Sequence, residues 1–207
     1  MKNILAIVGV LVLAVAGFIG YQYWKIQQAV SGPAKEIVSE KIEKDGDLWH
    51  ASFVSKIDGT PDEVWNAFSQ PERSSEMMPD SFKQSKLVSS EGNKKVVDVV
   101  AVLEILPPGF KVQNPRIEFE YFPAEKRITS KTIDFQLADI TSEYKFEPAD
   151  GGKATIVRVD QINKPKTASI VESLQKGAIR ESYINQIRAA NKGIAQERAA
   201  QAGNKAG

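Results

Sequence analysis

Few side chains in this 207-residue sequence could carry out chemistry. The chain has no cysteine, which excludes thiolate catalysis, thiolate metal sites and disulfide bonds. Its only histidine is His50, so a metal site built from several histidines is also excluded. Acid–base catalysis would therefore need a carboxylate inside a cavity, and nucleophilic catalysis by a serine would need a base beside it.

The predicted strands separate charged from uncharged side chains. Successive side chains of a strand point to opposite sides of a sheet, and each predicted strand has one face free of Asp, Glu, Lys and Arg. The uncharged faces should point inward together, because a buried unpaired charge costs several kcal/mol. Three carboxylates and the histidine fall on the outer face: Asp98, Asp134, Asp160 and His50. On the inner face, Tyr121 or Tyr144 could polarise a carbonyl, or both could be buried tyrosines with satisfied hydroxyls.

The inner face is predicted to line an apolar space with a few hydroxyl groups. Nine residues are predicted to contact a ligand there: Ala51, Phe53, Val99, Ala101, Phe119, Tyr121, Ser142, Tyr144 and Val157. Gly177 and Ala178, in the middle of the predicted C-terminal helix, are small and should leave on the order of several hundred Å³ open. No catalytic residue, metal ligand or cofactor is predicted.

The elements that position these residues are short strands, interrupted once. Residues 58–80, DGTPDEVWNAFSQPERSSEMMPD, predict two short helices. Thr60, Pro61 and Glu63 form a capping box with proline at the first helical position, and Pro79 ends the second helix. About six strands with tight turns follow between residues 81 and 162, which indicates an antiparallel sheet. A long helix is predicted over about residues 168–199.

Three stretches of this order resemble a known family. They are IDGTPDEVWNAFSQPERSSEMMPD, SEYKFEPADGGKATIVRVD and SLQKGAIRESYINQIRAANKGIAQE. Across about residues 48–197 the chain resembles the START-like superfamily, also called SRPBCC, and within it the polyketide cyclase/dehydrase-like group. The resemblance implies an α+β helix-grip fold: a curved antiparallel sheet wraps around the C-terminal helix, the two short helices close one end, and a cavity lies between. Hydroxyl groups in enzymes of this superfamily can polarise a carbonyl.

Two features of the sequence leave alternatives open. Ile170 and Leu174 mark one stripe of the long helix, whereas Ile179, Tyr183 and Ile187 begin another, about half a turn away. Either the helix bends near Gly177, or its two halves face different partners. The apolar stretches ILPPGF, residues 105–110, and EMMPDSF, residues 76–82, could form a cavity rim at a membrane or pack into the core.

The N-terminus predicts an uncleaved transmembrane anchor. Residues 4–20 carry no charge and would span roughly 25 Å as a helix, and YQYW at 21–24 places aromatic residues at the expected interface. A signal peptide cleaved after Ala14-Val15-Ala16 is the alternative. Flanking lysines lie on both sides, so the positive-inside rule does not orient the anchor. A short segment precedes the apolar run, as in a signal anchor, which favours an extracytoplasmic, periplasmic domain.

The predicted organisation is an anchor at 1–24, a connector at 25–47, a START-like domain at 48–199 and a flexible tail at 200–207. Lys plus Arg is 27 and Asp plus Glu is 26, so no basic surface for nucleic acid is expected. We expect a membrane-anchored, single-pass protein that binds a hydrophobic small molecule or lipid. The alternatives are a polyketide cyclase/dehydratase-like enzyme and a ligand-free scaffold for a membrane protein partner.

Overall fold

The computed structural model describes Tyr21, Trp24, Gln28 and residues 32–106, 109–166 and 172–204. The strands within these residues are β1 (Ser39–Asp45), β2 (Leu48–Ile57), β3 (Phe82–Glu91), β4 (Lys94–Val102), β5 (Val112–Gln113), β6 (Arg116–Phe122), β7 (Arg127–Asp134), β8 (Ala138–Ala149) and β9 (Ala154–Pro165). The α-helices are α1 (Pro61–Phe68), α2 (Ser74–Met77) and α3 (Glu172–Asn204). Single turns of 3-10 helix lie at Pro71–Arg73, Pro123–Glu125 and Asp150–Gly152.

The strands form one antiparallel sheet in the described part of the chain. Their order is β1-β2-β9-β8-β7-β6-β4-β3, and β5 also pairs with β4. β4 pairs with β6 at Val97–Ile117 and with β5 at Ala101–Gln113, so β5 and β6 flank β4 on one side. A large antiparallel sheet, a short helical insert after an early strand and a long C-terminal helix are the architecture that the sequence predicts.

The element boundaries differ from the predicted ones at both ends of the chain. β1 lies inside the predicted connector at 25–47 and pairs with β2 along its whole length, from Ser39–Val54 to Asp45–Leu48. α3 continues to Asn204, within the predicted flexible tail. The predicted anchor lies outside the described residues except for Tyr21 and Trp24. Of the helices that the structure describes, none has the length and apolar character needed to cross a bilayer.

The two faces of the sheet follow the predicted alternation. In β2 the inward side chains are buried, and His50 between them is exposed on the outer face. Asp98 points outward and accepts hydrogen bonds from Arg116 at 2.6 and 2.9 Å, which hold the pKa of its carboxyl below the usual value. Asp160 and Asp134 are exposed. Asp134 has the parity of the inward Ser130 and Thr132, but a register shift in β7 places it opposite the outward Arg116. The outward assignment of these four residues is confirmed.

The helical insert begins with the capping box that its sequence predicts. The Thr60 hydroxyl accepts a hydrogen bond from the Glu63 backbone N–H, and the Glu63 carboxylate accepts one from the Thr60 N–H. α1 buries Val64, and the rings of Trp65 and Phe68 pack edge-on against Phe146 of β8 at 5.8 and 5.1 Å. Because these rings sit on the inner face of the sheet, the insert closes one end of it.

The two stripes of α3 face different partners. Leu174 and Ala178 pack against a small cluster made by Leu103, Ile105 and Leu106, in the loop after β4. The second stripe packs on the sheet in the main core: Ile179, Tyr183, Ile187, Ala190 and Ile194. The described part of the ILPPGF stretch is thus core packing for the start of α3. Ile170 lies outside the described residues.

Ion pairs tie α3 to the elements on either side of it. The buried Arg180 guanidinium donates to both carboxylate oxygens of Glu40 on β1, at 2.9 and 2.8 Å. Farther along, Arg198 donates to both oxygens of Glu63 in the insert, at 2.7 and 2.9 Å. These ion pairs therefore connect the C-terminal part of α3 to the insert and its N-terminal third to the edge strand β1.

The Glu63 contacts make a pH-dependent contribution to stability. Hydrogen bonds from Arg198 and from the Thr60 backbone lower the pKa of Glu63 from 4.5 to about 2. The interaction therefore stabilises the fold fully above pH 4.5 and is lost as the pH falls toward 2. Because both side chains are partly exposed, we expect Glu63→Gln to cost about 1–2 kcal/mol at pH 7.

The measurement is chemical denaturation of wild type and Glu63→Gln between pH 7 and pH 2. The stability difference should shrink from pH 4.5 downward. Asp62→Asn, one residue away with a side chain that is 80% exposed, is the matched control and should change little. A Glu63→Gln deficit that does not vary with pH would contradict the assignment.

Candidate functional site

A cavity of about 190 Å³ lies between the inner face of the sheet, α3 and the helical insert. The sheet contributes mainly apolar side chains from β4 and β6–β8: Val99, Ala101, Ile117, Phe119, Ile128, Ser130, Thr132, Ile140, Ser142 and Tyr144. The insert contributes Ala67, Phe68, Gln70, Pro71, Arg73, Ser74 and Met77, and α3 contributes Ser182, Gln186, Ala189, Ala190, Gly193 and Glu197. Concave apolar spaces with a few polar groups are the usual form of small-molecule sites.

Five of the nine predicted ligand contacts line this cavity: Val99, Ala101, Phe119, Ser142 and Tyr144. The other four belong to the packed core and do not line it: Ala51, Phe53, Tyr121 and Val157. α3 covers that half of the sheet directly, and the Phe53 ring stacks on Tyr183 with centroids 4.2 Å apart. The Tyr121 ring lies under the insert, edge-on to Trp65 at 6.2 Å.

The cavity is smaller than the several hundred Å³ that the sequence predicts. The small residues of α3 that border it are also not the predicted ones. Ala189, Ala190 and Gly193 line it from α3, whereas Ala178 packs against the loop cluster instead. The wall on α3 is a stripe with helical spacing: Ser182, Gln186, Ala189, Gly193 and Glu197. Its small and polar residues, recurring every three or four positions beside an apolar stripe, are the sequence signal that could have located it.

The polar groups inside the cavity are uncharged. The Tyr144 hydroxyl donates a hydrogen bond of 2.9 Å to Gln186 Oε1. Burial raises the pKa of Tyr144, although hydrogen bonds with Ser142, Ser130 and Gln186 partly oppose that rise. The phenol is therefore neutral at physiological pH and can donate a hydrogen bond but cannot serve as a base.

The charged side chains among the described lining residues are at the cavity rim. Arg73 and Glu197 form an ion pair at 3.1 Å between the insert and α3. Arg73 also donates to Gln70 Oε1 at 3.1 Å and to Glu76 Oε2 at 3.2 Å. Because two carboxylates surround this guanidinium, the rim presents little uncompensated positive charge. The described lining residues include no carboxylate or imidazole placed beside Tyr144 for proton transfer.

A polar cluster beside the cavity was missed by sequence reasoning. Lys95 pairs with Phe119 in register, so its side chain is on the inner face, one step beyond the predicted uncharged set. Its ammonium donates to the Ser69 carbonyl at 2.8 Å and to Glu72 Oε1 at 2.9 Å. Three nearby buried atoms have no hydrogen-bond partner among the described residues: Ser69 Oγ, Glu72 Oε2 and the Tyr121 hydroxyl. Extending the β4 alternation by one step would have placed Lys95 here.

No group of three His, Cys, Asp or Glu side chains converges as a metal site within the residues that the structure describes. The cavity lining offers Tyr, Ser, Thr and amide side chains, which favour hydrogen bonding to an organic molecule.

Comparison with known proteins points to one family. The family model described as "Polyketide cyclase / dehydrase and lipid transport" matches residues 49–187. No curated protein sequence matches the chain.

Three solved structures share the fold at low sequence identity. A protein from Thermus thermophilus has a TM-score of 0.63 at 14% identity, covering 72% of this chain and 98% of its own. The Zhui aromatase/cyclase from a Streptomyces species has a TM-score of 0.62 at 13% identity, and the match covers 74% of this chain and 98% of the Zhui chain. A START superfamily protein from Mycobacterium smegmatis has a TM-score of 0.59 at 13% identity, and the match covers 71% of this chain and 97% of that protein.

Proposed function

This chain belongs to the polyketide cyclase / dehydrase and lipid transport family, and from that premise we propose that it binds an apolar small molecule or lipid between sheet and helix. The observation that carries the proposal is the cavity of about 190 Å³, with its apolar wall and few neutral polar groups. Its size suits a compact molecule or one end of a longer lipid. Family membership confirms the resemblance recognised in the sequence.

A cyclase- or dehydratase-like activity is the second candidate. The neutral Tyr144 hydroxyl, which donates to Gln186 in the cavity, could instead donate to a substrate carbonyl. The Zhui aromatase/cyclase has a similar fold, and at 13% identity this likeness concerns the fold alone. Binding remains the preferred proposal because proton transfer needs a base, and none of the described lining residues places one beside Tyr144.

The test is the thermal stability of the delipidated full-length protein with and without a lipid extract of its own cells. A ligand that binds only the folded state stabilises it by about 2.7 kcal/mol at a hundredfold excess over Kd. In a domain of this size such a stabilisation corresponds to a rise in Tm of roughly 5–10 °C. An extract that causes no rise would favour the scaffold alternative.

We further propose that residues 4–20 anchor the protein in a membrane, with the domain outside the cytoplasm. The uncharged run of 17 residues and the aromatic flank support the anchor, and a reporter fusion tests the orientation. We expect the intact mass of the mature protein to retain Ile4–Gly20. We also expect alkaline phosphatase fused after Gly207 to be active. A mature chain starting at Gly17, or an inactive but well-expressed fusion, would contradict these two expectations respectively.

A further inference from the structure

A row of neutral polar side chains crosses the inner face of the sheet. Gln161 of β9 pairs in register with Ser142 of β8, and Ser142 pairs with Ser130 of β7. All three line the cavity, as do Tyr144 on β8 and Gln186 on α3. We name these five residues the polar band. It interrupts a wall that is otherwise largely apolar.

Three of the five residues in the polar band are buried, and the hydrogen bonds of the band leave defined groups facing the cavity. Ser142, Gln161 and Tyr144 are each more than nine-tenths buried. Because Tyr144 donates to Gln186 Oε1, the Gln186 amide nitrogen remains a donor, and no described residue accepts a hydrogen bond from it. Gln161 Nε2 donates to Asn163 Oδ1 at 2.9 Å, which leaves Gln161 Oε1 as an acceptor.

These groups select one class of ligand over two others. A hydrocarbon in the cavity would cover the polar band without pairing its donors and acceptors, which costs binding free energy. A carboxylate would need a cation, but Arg73 at the rim is already paired with Glu197 and Glu76. An uncharged oxygen can accept from Gln186, and a hydroxyl can also donate to Gln161.

We propose that the ligand is a neutral apolar molecule with a carbonyl or hydroxyl oxygen seated at the polar band. This inference rests on the proposed binding function and adds the chemical class of the ligand to it. It assigns Gln186 the direct contact with the ligand oxygen and Tyr144 the orientation of the Gln186 amide.

The experiment compares three probes of nearly the same shape on the full-length protein: the hydrocarbon 2-isopropylnaphthalene, the ketone 2-acetylnaphthalene and the carboxylate 2-naphthoate at pH 8. Isothermal titration should show the ketone binding roughly three- to tenfold more tightly than the hydrocarbon, as one added neutral hydrogen bond permits. The carboxylate should bind at least tenfold more weakly than the ketone.

Gln186→Met and Tyr144→Phe should remove the preference for the ketone, because the ketone loses its hydrogen bond and the hydrocarbon no longer covers unpaired polar groups. Thr141→Val, an exposed neighbour of Ser142 on the outer face, is the control and should keep the preference. If either variant fails to fold, the other still tests the polar band.

The outcomes separate the two proposals. If the hydrocarbon and the ketone bind equally well to wild type, or the preference survives both variants, the polar band is not the contact and only this inference fails. If naphthoate binds most tightly, the ligand class is wrong. If no probe binds, the proposed binding function fails together with the inference.

Discussion

Replacing Ala189 by phenylalanine is expected to raise the Tm of the ligand-free protein and to abolish its stabilisation by lipid extract. Ala189 is buried and lines the cavity from α3. A phenyl ring there would occupy much of the 190 Å³ that is open. By the relation between cavity volume and stability, filling it should add about 1–2 kcal/mol. A ligand could then no longer enter, so the extract should cause no further shift.

The control for this prediction is the same substitution at Ala195, which is exposed on the same helix. Ala195→Phe should respond to the extract as wild type does. Ala101→Trp narrows the cavity from β4 and provides a second variant if Ala189→Phe overpacks the core. If Ala189→Phe and Ala101→Trp fold and respond to the extract as strongly as wild type, the ligand does not bind in this cavity.

Replacing Lys95 by methionine is expected to destabilise the protein by about 2–4 kcal/mol. Lys95 and Glu72 are each only about a quarter exposed, at 22% and 25% of the side-chain surface. Methionine has a similar shape but leaves the Glu72 carboxylate and the Ser69 carbonyl without their donor. Glu72 Oε2 already has no donor among the described residues, so Lys95→Met would leave both carboxylate oxygens without one. Equilibrium denaturation measures the loss.

Two further variants identify the cause of that loss. Lys95→Met combined with Glu72→Leu should regain most of the stability, because an apolar pair can replace a buried ion pair when both charges are removed. Lys94→Met is the neighbouring control: Lys94 is 47% exposed and lies 3.9 Å from Glu118, so it should cost little. If the double variant is as unstable as Lys95→Met, the unpaired carboxylate is not the cause.

The elements of this fold could be predicted from sequence because their signals are local. Thr60, Pro61 and Glu63 specify the start of α1 by hydrogen bonds within four residues, and the helix begins at Pro61 as predicted. The alternation of side chains along a strand likewise predicted that Phe53 is buried and His50 exposed, because this alternation depends only on the geometry of the strand.

The cavity was predicted less well because alternation gives a residue's face but not what covers it. Phe53 and Phe119 share the inner face, yet α3 packs on Phe53 while Phe119 borders open space. That difference depends on where a 33-residue helix crosses the sheet, which is a tertiary property. The contacts of Lys95 could not be predicted from β4 alone, because its partners, Ser69 and Glu72, lie in the insert.

Native mass spectrometry of the full-length protein, purified from its own cells without delipidation, tests ligand binding most directly. We predict that wild type carries a noncovalent adduct of a neutral, oxygen-containing apolar molecule, and that Ala189→Phe prepared in the same way lacks it. A wild-type protein without an adduct, or an adduct of equal abundance on Ala189→Phe, would contradict the proposal that this cavity is a ligand-binding site.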